Sequence, residues 1–76
     1  MTLGEDRVRA SFNPSGNNIV DEIKARTAGL IDLCHELRED VREHDEGCEV
    51  MRCLSLAMTA YEDAAMWAVK AATAKL

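Results

Sequence analysis

Apolar residues crowd the second half of this 76-residue chain so densely that, in a helix, they would cover most of its circumference. One set recurs at steps of three and four: Val50, Leu54, Ala57, Tyr61, Ala64, Ala68 and Ala71. Further apolar residues widen that face: Cys53, Leu56, Met58, Ala60, Ala65 and Trp67. Such a helix must be covered on more than one side. A single partner helix cannot do this, so the pattern predicts a helical hairpin packed against further copies of itself.

A second amphipathic segment precedes this one. Its apolar residues also recur at steps of three and four, which predicts a helix: Ile19, Val20, Ile23, Ala28, Leu30, Ile31, Leu33, Cys34, Leu37 and Val41. The acidic stretch "REHDEGCE" breaks the pattern, and Gly47 is typical of a position beyond a helix end. We therefore expect an all-α fold, an antiparallel two-helix hairpin. Its helices span residues 18–44 and 49–75, and an acidic turn at 45–48 joins them.

The residues before the hairpin give weaker signals. "RVRASF" alternates apolar and polar side chains as a strand does, but the chain offers it no partner strand. "NPSGNN" is rich in turn residues, and Asn18 is the predicted N-cap of the first helix, with Asp21 in a capping-box-like position. We expect residues 1–17 to form a weakly ordered arm and a turn, with the arm pairing between subunits.

Charge and cysteine usage limit the function classes. The net charge of −5 arises in residues 36–49, which hold seven acidic and two basic residues. This balance disfavours binding to duplex nucleic acid, where phosphates dominate affinity. The three cysteines are an odd number, no signal-peptide pattern is present, and no apolar run approaches the roughly 20 residues of a membrane span. We expect a cytosolic protein with reduced thiols and no membrane partner.

Cysteine and histidine side chains serve two kinds of chemistry, metal binding and nucleophilic catalysis. A zinc site would draw on Cys34, His35, His44, Cys48 and Cys53, but no C-x2-C pair occurs. Cys34 and Cys53 also fall in apolar stripes, where a free cysteine behaves as a small hydrophobe. No phosphate loop or nucleophile elbow of recognised form is present. We therefore predict neither a metal, nor a cofactor, nor an enzyme.

Several polar residues lie near the helix ends away from the acidic tip and are suited to a small phosphorylated ligand: Phe12, Asn13, Lys24, Arg26, Thr27, Arg52, Ser55, Thr59, Lys70 and Lys75. The cations among them are also consistent with solvated charges in weak ion pairs. Trp67 has two interpretations as well. It is an anchor at a subunit interface, where Trp is enriched, or a stacking surface for a base.

The helix "RCLSLAMTAYEDAAMWAVKAATA", from Arg52 to Ala74, resembles the signature helix of the phage anti-CBASS sponge proteins of the second type. The same hairpin occurs in a phage sponge that counters Thoeris defence. The matching positions are Arg52, Leu54, Ser55, Ala57, Thr59, Glu62, Ala64, Met66, Trp67, Ala68, Lys70 and Ala71. The upstream "FNPSGNNIVDEIKARTAGLIDL", from Phe12 to Leu33, is similar to the other half of that hairpin.

The resemblance implies compact helical homo-oligomers, typically hexamers, in the host cytoplasm. It implies binding of cyclic dinucleotides such as cGAMP, and in some members cyclic trinucleotides, without cleavage, so that host CBASS effectors stay inactive. Carried over to this chain, it places these residues at the ligand: Phe12, Asn13, Lys24, Arg26, Thr27, Arg52 and Thr59. The predicted oligomer interface comprises Tyr61, Ala64, Trp67, Ala68 and Ala71. The alternative is a small oligomeric protein-interaction module with no nucleotide ligand.

Overall fold

The computed structural model of the protein describes residues 1–43 and 48–74, apart from the side chains of residues 43 and 48. Within those ranges the chain forms three α-helices and no strand: α1 (Leu3–Val8), α2 (Asn18–Glu43) and α3 (Cys48–Thr73). The amide nitrogen Nδ2 of Asn17, before α2, donates to the carbonyl of Ala72, near the end of α3, at 3.3 Å. The two long helices therefore run antiparallel, which confirms the predicted all-helical hairpin. Residues 44–47, which hold most of the predicted acidic turn, lie outside the described residues.

The core is a thin seam between the three helices. It combines Val8 of α1 with two residues of α2, Ala28 and Ile31, and two of α3, Met58 and Ala65. Ile31 and Met58 are completely buried. Met58 and Ala65, from the set that widens the apolar face, are buried together with Leu54 of the predicted seam. Ala64 and Ala71 of that seam are exposed. The face of α3 turned to its own chain is thus rotated relative to the predicted seam.

The N-terminal segment is a helix, so the expectation of a weakly ordered, strand-like arm is wrong for residues 3–8. A capping box starts α1: the Thr2 hydroxyl accepts from the Glu5 amide at 3.1 Å, and the Glu5 carboxylate accepts from the Thr2 amide at 2.8 Å. These two bonds satisfy donors that a helix start leaves free. The capping spacing outweighed the apolar alternation, because a lone strand has no partner here.

The short α1 is docked by a close approach at Gly4. The Gly4 amide donates to Asp32 Oδ1 at 2.7 Å, and a Cβ at this position would lie 2.0 Å from the Ala28 carbonyl oxygen. Any other residue would therefore push α1 away from α2. At the start of α2, the Asn17 side chain accepts from the Ile19 amide at 2.9 Å. Asn17 is thus the capping residue, one position before the predicted Asn18, which is the first residue of the helix.

The hairpin is a single layer of helices. Its extents are 48 × 22 × 12 Å, and the smallest of these is about one helix diameter. A layer this thin leaves large apolar side chains on its outer faces, including Ile19, Leu30, Leu33, Leu37, Leu56, Met66 and Trp67. A single chain therefore buries only part of the apolar surface of its helices.

Candidate functional site

The most informative side chain near the N-terminal segment is Lys24, which is 7% exposed on the inner face of α2. Its ammonium donates to the carbonyl of Arg9 at 2.9 Å and to the carbonyl of Phe12. It also lies 5.5 Å from the centroid of the Phe12 ring, within cation–π range. Lys24 therefore ties the end of α1 and the following turn to α2, and the interpretation of it as a solvated charge is wrong.

Phe12 and Asn13 lie in that turn. The Phe12 side chain is 59% exposed even though its backbone is fixed by Lys24. The Asn13 side chain is used within the turn: Nδ2 donates to the Asn17 carbonyl at 2.9 Å and to Asp21 at 3.0 Å, while Oδ1 accepts from the Ser15 hydroxyl at 2.6 Å. The turn thus presents a largely exposed aromatic ring on a backbone held by hydrogen bonds, which suits stacking on a planar ligand.

A cavity of about 490 Å³ opens between α1 and α3. Its size lies in the range typical of small-molecule sites. The apolar part of its wall comes from Val8, Ala65, Met66 and Val69, and its polar part from Arg7, Arg9, Lys24, Thr59, Glu62 and Asp63. Two predicted ligand residues, Lys24 and Thr59, therefore meet here from different helices.

One wall of the cavity is held together by Arg7. Its guanidinium donates to the Glu62 carboxylate at 2.9 Å and to the Thr59 hydroxyl at 3.4 Å. The pair is half-buried, and it links α1 directly to α3. Thr59 thus faces the cavity as predicted for a ligand residue, but its hydroxyl already has a partner.

The other predicted ligand residues of α2 lie outside this cavity. Arg26 is exposed, and its guanidinium pairs with Glu22 one turn away at 2.7 Å. Arg26 is displaced by two residues from Lys24, about 200° around the helix, so the two point to opposite faces. The Thr27 hydroxyl donates to the carbonyl of Ile23 at 2.7 Å within the helix. A ligand contact by Arg26, on the outer face of α2, or by the half-buried Thr27 stays a prediction.

Arg52 lies at the other end of the molecule. It is seven residues before Thr59, about 10 Å along α3. Its guanidinium makes two hydrogen bonds to Glu49, at 2.6 and 3.1 Å. The Arg52 hydrogen bonds lower the pKa of the Glu49 carboxyl, and the same contact raises the pKa of Arg52. Arg52 is thus not brought together with Phe12 or Lys24 within one chain.

The residues predicted at the oligomer interface spread around α3. Ala64, Trp67 and Ala71 are exposed, Ala68 is half-buried, and Tyr61 packs against the core. Trp67 is 56% exposed, and its ring lies 5.1 Å from the Lys70 ammonium. Within this chain Trp67 therefore does not anchor the core, and both predicted roles remain available to it.

Among the described residues, no group of three or more metal-ligating side chains comes together. Cys34 packs against the core as expected. Cys53 is exposed in the single chain, on the wide apolar face predicted to pack against further copies, so its place in that face stays a prediction. His35 bonds to Arg38 at 3.1 Å, while His44 and the Cys48 side chain lie outside the described part. No described helix is both long and apolar enough to cross a membrane.

Comparison with known proteins decides the family. Residues 5–73 match the family described as the Acb2/Tad1 hairpin domain, which covers most of the chain. The chain belongs to the Acb2/Tad1 hairpin-domain family. This confirms the resemblance to the anti-CBASS and anti-Thoeris sponges. No significant match was found among curated proteins or among solved structures.

The sequence alone pointed to most of this Acb2/Tad1 hairpin but missed part of its cavity. The burial of Lys24 and the cavity positions of Arg7, Arg9 and Glu62 were not predicted. One signal was present: Lys24 lies four residues from both Val20 and Ala28, in the register of the buried stripe. A lysine in that register indicates a buried ammonium with backbone partners. No comparable signal identifies Arg9, because its place depends on how α1 docks.

Proposed function

We propose that this protein binds cyclic oligonucleotide second messengers, cyclic dinucleotides in the first place, and sequesters them without cleavage. Its proposed effect is to block CBASS signalling in the host cytoplasm. Membership in the Acb2/Tad1 hairpin-domain family is the observation that carries the proposal. The exposed Phe12 ring beside Lys24 supports it, because an aromatic ring on an ordered turn offers a surface on which a base stacks.

The proposed active form is a homo-oligomer, and the proposed subunit number is six. Support comes from the single-layer shape and from the apolar side chains that it leaves on the outer faces of α2 and α3. Assembly would also bring residues from opposite ends of different copies together. Arg52, Arg26 and Thr27 are then proposed to complete a ligand site that one chain leaves divided.

Calorimetric titration with cyclic di- and trinucleotides tests this function. Phe12→Ala should weaken binding about 5- to 150-fold, from the stacking energy of one base. Ile19→Ala is the matched control for loss of an equally exposed apolar side chain, and sedimentation checks that both variants keep the oligomer. The ligand released by denaturing the complex should be intact; recovery of linear nucleotide would contradict sequestration.

The second candidate is an oligomeric protein-interaction module with no nucleotide ligand. The same exposed apolar faces favour it. It predicts stable oligomers in sedimentation experiments together with no change in melting temperature across the nucleotide panel. The sponge proposal predicts a rise in melting temperature with at least one cyclic nucleotide, since a ligand that binds only the folded state stabilises it.

A further inference from the structure

We propose that the cavity between α1 and α3 binds a phosphate group through Arg9, with the buried Lys24 ammonium as the second positive charge. The inference rests on the proposed function for the identity of the ligand, a cyclic nucleotide. The anion site itself rests on the charges and contacts of the cavity.

Among the arginines that the structure describes, Arg9 is the one whose side chain makes no ion pair or hydrogen bond. Arg7, Arg26, Arg42 and Arg52 each pair with a carboxylate, and Arg38 bonds to His35. The Arg9 guanidinium makes neither kind of contact with the residues that the structure describes, although Arg9 lines the cavity. A guanidinium retains all its donors in this state, and its planar fork matches two phosphate oxygens.

The backbone of Arg9 is also unusual. Its φ of 55° makes it the described non-glycine residue with a left-handed conformation. Such a conformation costs an ordinary side chain energy and persists where the surroundings hold it. Here the Arg9 amide donates to Asp6 at 3.2 Å, and the Arg9 carbonyl accepts from Lys24 at 2.9 Å. The position of Arg9 at the cavity is therefore imposed from both sides of its backbone.

Lys24 supplies an independent reason to expect an anion. Its hydrogen bonds go to neutral carbonyls, and no described carboxylate lies within ion-pair distance of its ammonium. A buried cation normally pairs with a negative charge, because removing it from water is costly. An anion bound in the cavity that Lys24 lines would supply that charge. The backbone takes two of the three donors of the Lys24 ammonium, so Lys24 has one donor left for the anion and otherwise attracts it by its charge.

The charges of the cavity as a whole agree with this assignment. Its wall holds three cations, Arg7, Arg9 and Lys24, against two carboxylates, Glu62 and Asp63. In a chain of net charge −5 this is a local surplus of positive charge. Glu62 is neutralised by Arg7. Asp63 is exposed and should oppose an anion in the cavity.

The test compares three variants by calorimetric titration. Arg9→Gln should weaken binding of cyclic dinucleotide about tenfold or more, the usual effect of losing one charge-assisted hydrogen bond. Arg42→Gln is the charge-matched control on an exposed part of α2 and should bind as the wild type does. Asp63→Asn should strengthen binding a few-fold, because it removes a repulsive carboxylate. Sedimentation confirms that all variants keep the same oligomeric state.

Inorganic pyrophosphate serves as a second probe, read by the rise in melting temperature that it causes. A rise that Arg9→Gln abolishes would support the anion site even if no cyclic nucleotide bound, and only the proposed function would fail. If the wild type binds cyclic dinucleotide and Arg9→Gln binds it within threefold of the same affinity, the anion site is wrong while the sponge function stands. Binding of neither probe to the wild type would overturn both.

Discussion

Charged and polar side chains make different kinds of contact at the two ends of the molecule. At the end that carries α1, polar contacts connect residues far apart in sequence: Gly4 with Asp32, Arg7 with Glu62, and Lys24 with the turn that holds Phe12. At the other end, Arg42 and Arg52 pair with carboxylates three residues away in their own helices. The end with α1 also has one such local pair, Arg26 with Glu22, on its exposed surface. Local pairs hold no elements together, whereas the long-range contacts build a cavity. The end with α1 is therefore where a small ligand finds fixed groups.

The largest expected effect on stability comes from displacing α1 from α2. Gly4→Leu places a side chain where even a Cβ would lie 2.0 Å from the backbone of Ala28, so α1 should be displaced, at a cost of about 3 kcal/mol or more. Gly29→Ala is the matched control on α2, since a Cβ there meets nothing within 4 Å. It should stabilise the fold by about 0.5–1 kcal/mol, because alanine is the better helix former. Denaturant unfolding measures both, and equal stabilities would show that α1 is not docked.

The next effect concerns the link between α2 and the turn. Lys24→Met keeps most of the apolar stem of the side chain but removes the donor to the Arg9 and Phe12 carbonyls, so it should destabilise by about 1–3 kcal/mol. Lys70→Met, on the exposed side of α3, should leave the free energy of unfolding unchanged. Faster hydrogen exchange at the Phe12 amide in Lys24→Met alone would localise the effect. Equal stability of the two variants would contradict a structural role for Lys24.

A smaller effect on stability compares an arginine ion pair from each end of the molecule. Arg7→Ala removes the half-buried contact between α1 and α3 and should cost about 1 kcal/mol, partly through lost packing of the arginine stem. Arg52→Ala removes an exposed pair within one helix and should leave stability unchanged. Thermal unfolding of both variants checks this. A larger loss for Arg52→Ala would reverse the comparison.

The smallest effect is the pH dependence of the capping box. Hydrogen bonding from the Thr2 backbone lowers the pKa of Glu5 below its ordinary 4.5. A lowered pKa in the folded state means that the stabilisation is present above pH 4.5 and is lost as the pH falls through the folded value. At pH 6 the melting temperature of the wild type should therefore be higher than that of Glu5→Ala. The difference between the two melting temperatures should disappear towards pH 3. A gap independent of pH would show that the charge of Glu5 plays no part.

Most of the hairpin was predictable because helical periodicity is a local property. The apolar residues of α2 and α3 recur at steps of three and four, which can be read directly from the sequence. The wide apolar face of α3 indicated apolar surface that a single chain does not bury. The N-terminal helix was mispredicted although Thr2 and Glu5 have the spacing of a capping box. An apolar alternation over six residues is weak evidence for a strand when no partner strand exists.

Much less of the candidate site was predictable. Phe12, Lys24 and Thr59 were expected near a ligand, and the structure places all three at the end with α1. Arg52 was grouped with them, but it lies about 10 Å further along α3 in a local ion pair. No pattern in the sequence points to Arg9. Which charges face one another depends on the docking of α1, and no periodicity encodes that.

The sequence by itself determined the two long helices, their antiparallel pairing and their membership in the Acb2/Tad1 hairpin-domain family, because side-chain spacing and signature residues are local information. The tertiary structure alone decided the burial of Lys24, the left-handed backbone of Arg9 and the cavity between α1 and α3. The physical reason is the close approach at Gly4. It sets α1 against α2, and only then do the carbonyls of Arg9 and Phe12 come within reach of the Lys24 ammonium.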